Sequence, residues 1–178
     1  WLPPRWLRGP GVDQLTFGDL LRHRSGLQSE NRDFDNTLGY EALRFAIQTG
    51  VVLSKTRRYL NVNFALFRVL IPSLWSALPD APAIDLDSEE NTQFMYRLYM
   101  QQHVFDPLDL PGVDFFPEAD GVETLYYAMS DRDDGSAGTE YGDWNYIAGG
   151  GGYYMSVLEM ARVNAFWEHT NVLLSDDA

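Results

Sequence analysis

A chain of 178 residues with 45% hydrophobic and 14% aromatic content is too apolar to stay disordered and long enough for one core, so a single soluble globular domain or large lobe is expected. Its formal net charge of −13 argues against nucleic acid or an anionic membrane face as partner, since both reward clustered lysine and arginine. The absence of cysteine excludes disulfides and thiolate metal sites, and no apolar run reaches the roughly 18 residues of a membrane span.

The chain opens on "WLPPRWLRGPG", which reads as a Pro-rich connector without a basic, apolar leader and so as a cut end. "LTFGDLLRHRSGL" then offers Thr16 as N-cap, Asp19 three residues on, Leu20 and Leu21 as apolar positions and Gly26 as a stop, which predicts a short helix. "TLGYEALRFAIQTG" places Tyr40, Leu43 and Ile47 on one face ahead of Gly50, a second helix. From Asn61 the positions Phe64, Phe67, Ile71, Leu74 and Trp75 recur at three and four, with Pro72 expected to kink or split the helix. After the loop "LPDAPAIDLDSEEN", the acids Glu89 and Glu90 favour a helix start ahead of Phe94, Met95, Leu98 and Phe105, and Asp106-Pro107 ends it. Aromatic clusters at Leu125 to Met129 and Trp144 to Ile147 predict a β-hairpin around a Gly/Asp/Ser loop. Four glycines lead into Ser156 and Glu159, a capping pair opening a last helix with Val157, Met160, Val163 and Trp167 as its apolar stripe.

The chemically suggestive pair is Tyr59-x-Asn61, behind Lys55, the only lysine in the chain. Taken alone, such a pair more often starts a buried helix, with the ring packed and the hydroxyl bonded. A catalytic phenol must give up its proton near neutrality, which takes neighbouring positive charge. Lys55, Arg57 and Arg58 stand beside it in sequence. Asn61 would add an amide able both to donate and to accept.

In order along the chain, "LTFGDLLRHRSGL", "YLNVNFALFRVL", "HVFDPLDLPGV", "AGGGGYYMSVLEMARV" and "NVLLSDD" resemble the serine β-lactamase-like family: class C β-lactamases, DD-peptidases and related esterases. The family's pieces look like an "ITxxxLLxHxSGL" helix, a "YxN" loop opening a helix, "xxxPLGM", "AGGLxSTxxDxAR" and "LLS". The resemblance spans Leu15 to Leu174. It implies an α+β class, with these 178 residues forming one domain-sized piece: the predominantly helical lobe of that fold, a short hairpin region, and most of the main sheet outside it.

It also implies an acyl-serine mechanism on an ester, amide or β-lactam, with a serine in S-x-x-K, the tyrosine of Y-x-N assisting proton transfer, and a K-T-G or H-x-G strand lining the cleft. Tyr59 would be the catalytic base or its proton-shuttling partner and Asn61 the substrate-positioning amide. Three residues before Lys55 stands Val52, so no S-x-x-K exists in the chain. Lys55-Thr56 is followed by Arg57 rather than glycine and precedes the tyrosine, and none of His23, His103 or His169 begins an H-x-G. The nucleophile is therefore expected upstream of Trp1, the third motif downstream of Ala178, and the chain alone is expected to be inactive. Departures are Leu60 inside Y-x-N, "PLDL" for "PLGM", and Asp109 in place of glycine, which suggests a changed turn. The expected partner is a small-molecule or peptide-like substrate, no cofactor is implied, and the family points to the periplasm or cell exterior. A non-catalytic binding or scaffold protein of the same fold is the alternative.

Other motifs are weaker. "AGGGG" could cradle a phosphate on backbone N–H groups but lacks a following lysine, so close packing and cleft shaping are the preferred roles. "DRDDGSAGTEY" fails as an EF-hand, since Gly135 at position six would put Ser130, Arg132 and Tyr141 at ligand positions. Ser25 and Ser136 each lack a glycine needed for a nucleophile elbow, and His23 reads as a hydrogen-bonded structural histidine. No metal-binding set such as H-E-x-x-H occurs.

Overall fold

The computed structural model describes residues 1–28, 39–52, 54–117, 121–126, 135, 137–140 and 142–174. Its helices are α1 (Phe17–Leu21), α2 (Tyr40–Thr49), α3 (Asn61–Ala65), α4 (Phe67–Trp75), α5 (Glu89–Met100) and α6 (Val157–His169), with 3-10 turns at Val12–Gln14, Asp106–Leu108 and Asn145–Ile147. The described residues form no sheet: antiparallel pairing is confined to isolated bridges Leu27–Val51, Asp114–Tyr154 and Tyr126–Thr139. The expected hairpin is corrected in its second strand. Tyr126 pairs with Thr139, and Asn145–Ile147 is a 3-10 turn rather than the second strand. Residues 127–129 of the predicted first strand, and much of the Gly/Asp/Ser loop including Ser130 and Arg132, lie outside the described residues. Among the described residues no helix is long and apolar enough to cross a membrane.

Local signals are met where they are self-contained. Thr16 accepts from the Asp19 N–H while Asp19 reaches back to the Thr16 N–H, and Ser156 and Glu159 do the same for α6. Each pair satisfies amides that the first turn leaves without helical partners. Helix α2 buries Tyr40, Leu43, Ala46 and Ile47, each large apolar side chain contributing about 1.5–3 kcal/mol. Helix α5 starts on Ser88, whose hydroxyl accepts from the Asn91 N–H.

Three expectations need revision. The split in the third helical region falls at Leu66, not at Pro72, which lies inside α4. Pro72 removes one N–H, so only the Arg68 carbonyl loses a helical donor. At the true break, Gly149 sits so close that a Cβ on it would meet the backbone of Phe64, Ala65 and Arg68. The buried stripe runs through Val62, Ala65, Leu66, Val69 and Leu70, offset from the stripe that the spacing suggested, of which Trp75 alone is buried. The helix carrying Met95 does not end at Asp106-Pro107: it widens into a π turn at Gln101–Phe105, tightens into Asp106–Leu108 and stops at Asp109.

The N-terminal segment is also more than a connector. Trp6 is buried and its indole N–H donates to the Tyr40 hydroxyl at 2.7 Å. It joins α2, α3, α4, Tyr96, Phe115 and the Trp144–Ala148 turn in the main core. A second cluster collects Phe105, Leu108, Leu110 and Val113, and a third Trp75, Leu86 and Met95. Fully buried Arg68 donates from Nη1 to the carbonyls of Asn145 and Tyr146, each at 3.1 Å, tying α4 to that turn.

Candidate functional site

The site grows from the way α1 ends. The Arg24 N–H bonds to the Asp19 carbonyl and the His23 N–H to the Leu20 carbonyl, a Schellman stop whose left-handed residue is His23 at φ 55° rather than the expected Gly26. Histidine there carries roughly 1–2 kcal/mol of backbone strain that glycine would avoid. Its side chain explains the choice. Nδ1 receives the Leu60 N–H at 3.2 Å and faces Asn63 Nδ2 at 3.1 Å. Two donors converging on Nδ1 leave it unprotonated and place the ring proton on Nε2. The Ser25 hydroxyl donates to Asn63 Oδ1 at 2.6 Å and accepts from the Leu27 N–H at 3.1 Å, and the Arg58 N–H bonds to the His23 carbonyl at 2.8 Å.

This relay is buried, with Asn63 fully enclosed, and joins the loop after α1 to the first turn of α3. Burial, then the positive charge of Arg57, hold the His23 imidazole below its usual pKa. Sequence reasoning had His23 as a structural histidine but missed Asn63 as its partner. The available signal was a polar residue set between apolar Val62 and Phe64 in the first turn of α3.

Tyr59 lies outside the buried relay. Its ring rests on the His23 imidazole, centroids 4.4 Å apart, and is 64% exposed. Asn61, the first residue of α3, is half-buried. Neither side chain makes a hydrogen bond to a described residue. A cleft of about 440 Å³ opens along this segment, lined by the flanking Arg58 and Leu60 with His23, Val52, Ser54, Thr56 and Arg57 among others, and neither Tyr59 nor Asn61 is among its lining residues. Lys55, the candidate for a partial K-T-G, instead donates to Asp19 at 2.7 Å, which lowers the Asp19 carboxyl pKa.

The glycine run shapes a second hollow. A Cβ on Gly149 would lie 2.6 Å from the Phe64 carbonyl oxygen, and one on Gly152 2.6 Å from the Trp144 Cβ, so these positions exclude side chains. Gly150, Gly151 and Gly152 line a cleft of about 500 Å³ with Trp144, Tyr153 and Tyr154. Asp109 adopts the left-handed conformation itself, φ 54°, so its backbone takes a conformation that favours glycine rather than a different turn. No group of three metal-ligating His, Asp or Glu residues occurs among the described residues.

The fold is similar to that of FmtA from Staphylococcus aureus, with a TM-score of 0.58 and 18% identity over 90% of this chain and 42% of FmtA. It is similar as well to D-amino acid amidase from Ochrobactrum anthropi, with a TM-score of 0.55 and 17% identity over 94% of this chain and 48% of the amidase. The chain thus spans less than half the length of either. A comparison with curated proteins found no match. The family model described as Beta-lactamase matches residues 1–177, and the chain belongs to that family.

Proposed function

We propose that this chain is the helical lobe of a serine hydrolase that acts through an acyl-serine intermediate on an ester, amide or β-lactam. Tyr59 relays the proton of the attacking hydroxyl, and Asn61 positions the carbonyl or amide of a small-molecule or peptide-like substrate. The observation that carries this reading is the placement of Tyr59: its ring is exposed on the mouth of α3 beside a cleft, while the backbone on both sides is tied to buried His23. A tyrosine serving only the core would have its ring enclosed. Membership in the β-lactamase family supports the hydrolase class, and it favours the periplasm or cell exterior as the setting. The serine and its lysine belong to polypeptide beyond these residues in this reading, so the chain by itself is inactive.

The test is covalent labelling of the intact protein with a fluorophosphonate or a penicillin. Labelling is expected to vanish when the upstream S-x-x-K serine is replaced, and to slow by about 10²–10⁴-fold in Tyr59→Phe. Undiminished labelling of Tyr59→Phe overturns the assignment of the tyrosine. No labelling of the unaltered protein by either reagent favours a binding or scaffold role on the same fold.

A further inference from the structure

The cleft beside Tyr59 has a polarity opposite to that of the protein around it. The chain carries a formal charge of −13, yet the cleft walls include Arg57 and Arg58, with Ser54, Thr56 and His23 as the other groups able to donate hydrogen bonds alongside Gln28. Most described cations elsewhere are neutralised: Arg5 by Asp87, Arg8 by Asp13, Arg44 by Glu41, Lys55 by Asp19, Arg97 by Asp114 and Arg162 by Asp109. Neither Arg57 nor Arg58 has a described carboxylate within ion-pair distance. Lys55, the basic neighbour on the same segment, is committed to Asp19, and Arg22 and Arg24, which flank His23, likewise have no described carboxylate partner but do not line the cleft, so Arg57 and Arg58 are the cations of its wall. That field reaches the cleft wall, since Arg57 acts on the His23 ring.

We propose that this cleft is an oxyanion subsite: it holds a carboxylate or phosphate group of the bound molecule, gripped by Arg57 and Arg58 and seated against the Ser54 and Thr56 hydroxyls. A guanidinium presents paired N–H donors in a fork that matches carboxylate and phosphate oxygens, and such charge-assisted bonds are about twice as strong as neutral ones. Ser54 and Thr56 lie 2.7 Å apart through their hydroxyl oxygens, a pair whose second proton is free to turn toward an anion. The apolar side of the cleft, Leu27, Val52 and Leu60, suits the carbon skeleton that carries the charge. The proposal deepens the hydrolase reading and rests on it for the identity of the occupant as substrate: an acyl compound with an acidic group on the side that faces residues 54–58.

The experiment is an NMR titration of the intact protein, labelled at histidine ring carbons and arginine side-chain nitrogens, with N-acetylglycine, methyl phosphate and the neutral N-acetylglycinamide. Saturable shifts at His23 and Arg57 with the two anions, and binding about tenfold weaker for the neutral amide and for Arg57→Gln, support the subsite. The tighter of the two anions assigns the group as carboxylate or phosphate. Arg58→Gln is a second variant. Both arginines are exposed, so neither substitution empties the core. Equal binding of the neutral amide, shifts confined to other residues, or anion binding unchanged in both variants overturns the proposal. Tyr59-dependent labelling without anion binding sinks this inference alone. Anion binding with labelling indifferent to Tyr59 sinks the catalytic assignment alone.

Discussion

The Leu60 N–H meets the imidazole of His23 at 3.2 Å across 37 positions of sequence, and it does so from a histidine held in the left-handed region at φ 55°. Strain in the backbone is offset by an acceptor that two buried donors share. His23→Ala keeps the strain and removes the acceptor, leaving the Leu60 amide and the Asn63 carboxamide unsatisfied, at a cost of about 2–3 kcal/mol. His23→Gly loses the same bonds but relieves the conformation, so it should be less destabilised than His23→Ala by about 1 kcal/mol. Urea denaturation of the two variants measures the order, and a glycine variant weaker than the alanine one contradicts the account.

The same imidazole makes stability depend on pH. Its folded pKa is held below the unfolded value of about 6.5 by burial first and by Arg57 second. As pH falls through about 6.5 the unfolded chain takes up this proton before the folded one does, so stability declines, and the decline continues until the folded ring itself titrates. Denaturation midpoints between about pH 7 and pH 5 should fall in the unaltered protein and fall less steeply in His23→Gln. Identical slopes would mean that His23 is not the group responsible.

Gly149 and Gly135 both have positive φ, 87° and 77°, but differ in what surrounds them. A Cβ at Gly149 meets the Phe64 oxygen at 2.6 Å and the Arg68 nitrogen at 2.9 Å, both backbone atoms, whereas one at Gly135 meets no described residue within 4 Å. Gly149→Ala is expected to cost about 3 kcal/mol or more, since rigid backbone must move. Gly135→Ala should cost only the conformational term of about 1–2 kcal/mol. Thermal melts of the pair check the difference, and equal losses would show that contact plays no part at Gly149.

Asp109 stops the helical stretch after Phe105 at φ 54°, with the Leu110 N–H bonded to the Phe105 carbonyl at 3.0 Å. Asp109→Gly removes the strain and adds unfolded-state entropy, so it should change stability by no more than about 1 kcal/mol. Asp109→Val places a β-branched residue in the left-handed region and should cost about 2 kcal/mol or more. Calorimetry on both variants tests this, and a valine variant as stable as the glycine one would refute it.

Legibility from sequence followed the range of the interactions involved. Thr16 with Asp19 and Ser156 with Glu159 were readable because each pair closes within one turn, and Tyr40, Leu43 and Ile47 because α2 has one covered face. The stripe of α3 and α4 was misplaced because Phe64 and Phe67 looked like core residues. Chain from far downstream, the Gly149 turn, covers the Phe64–Arg68 backbone instead. Tyr59 and Asn61 could be singled out, but the buried relay beneath them could not, since Ser25 and His23 reach Asn63 across 38 and 40 positions. No local pattern announces a contact of that span. Aromatic clustering near Trp144 imitated a strand because β-leaning side chains serve equally well to fill a core around a 3-10 turn.

Helix α6 begins with a complete cap and yet buries none of its residues: Val157 and Leu158 are each 82% exposed, and only Val163 and Phe166 touch the second cluster. Of its expected apolar stripe, Val157, Met160 and Trp167 are exposed and Val163 alone packs against the second cluster. In the 178-residue chain by itself, a segment fastened at its entrance and barely held along its length is expected to open more readily than the rest, so its amides should exchange with solvent orders of magnitude faster than those of α2 or α4. In this lobe the end that carries the glycine turn is anchored, and the helix leaving it presents Val157, Met160 and Trp167 uncovered by the described residues.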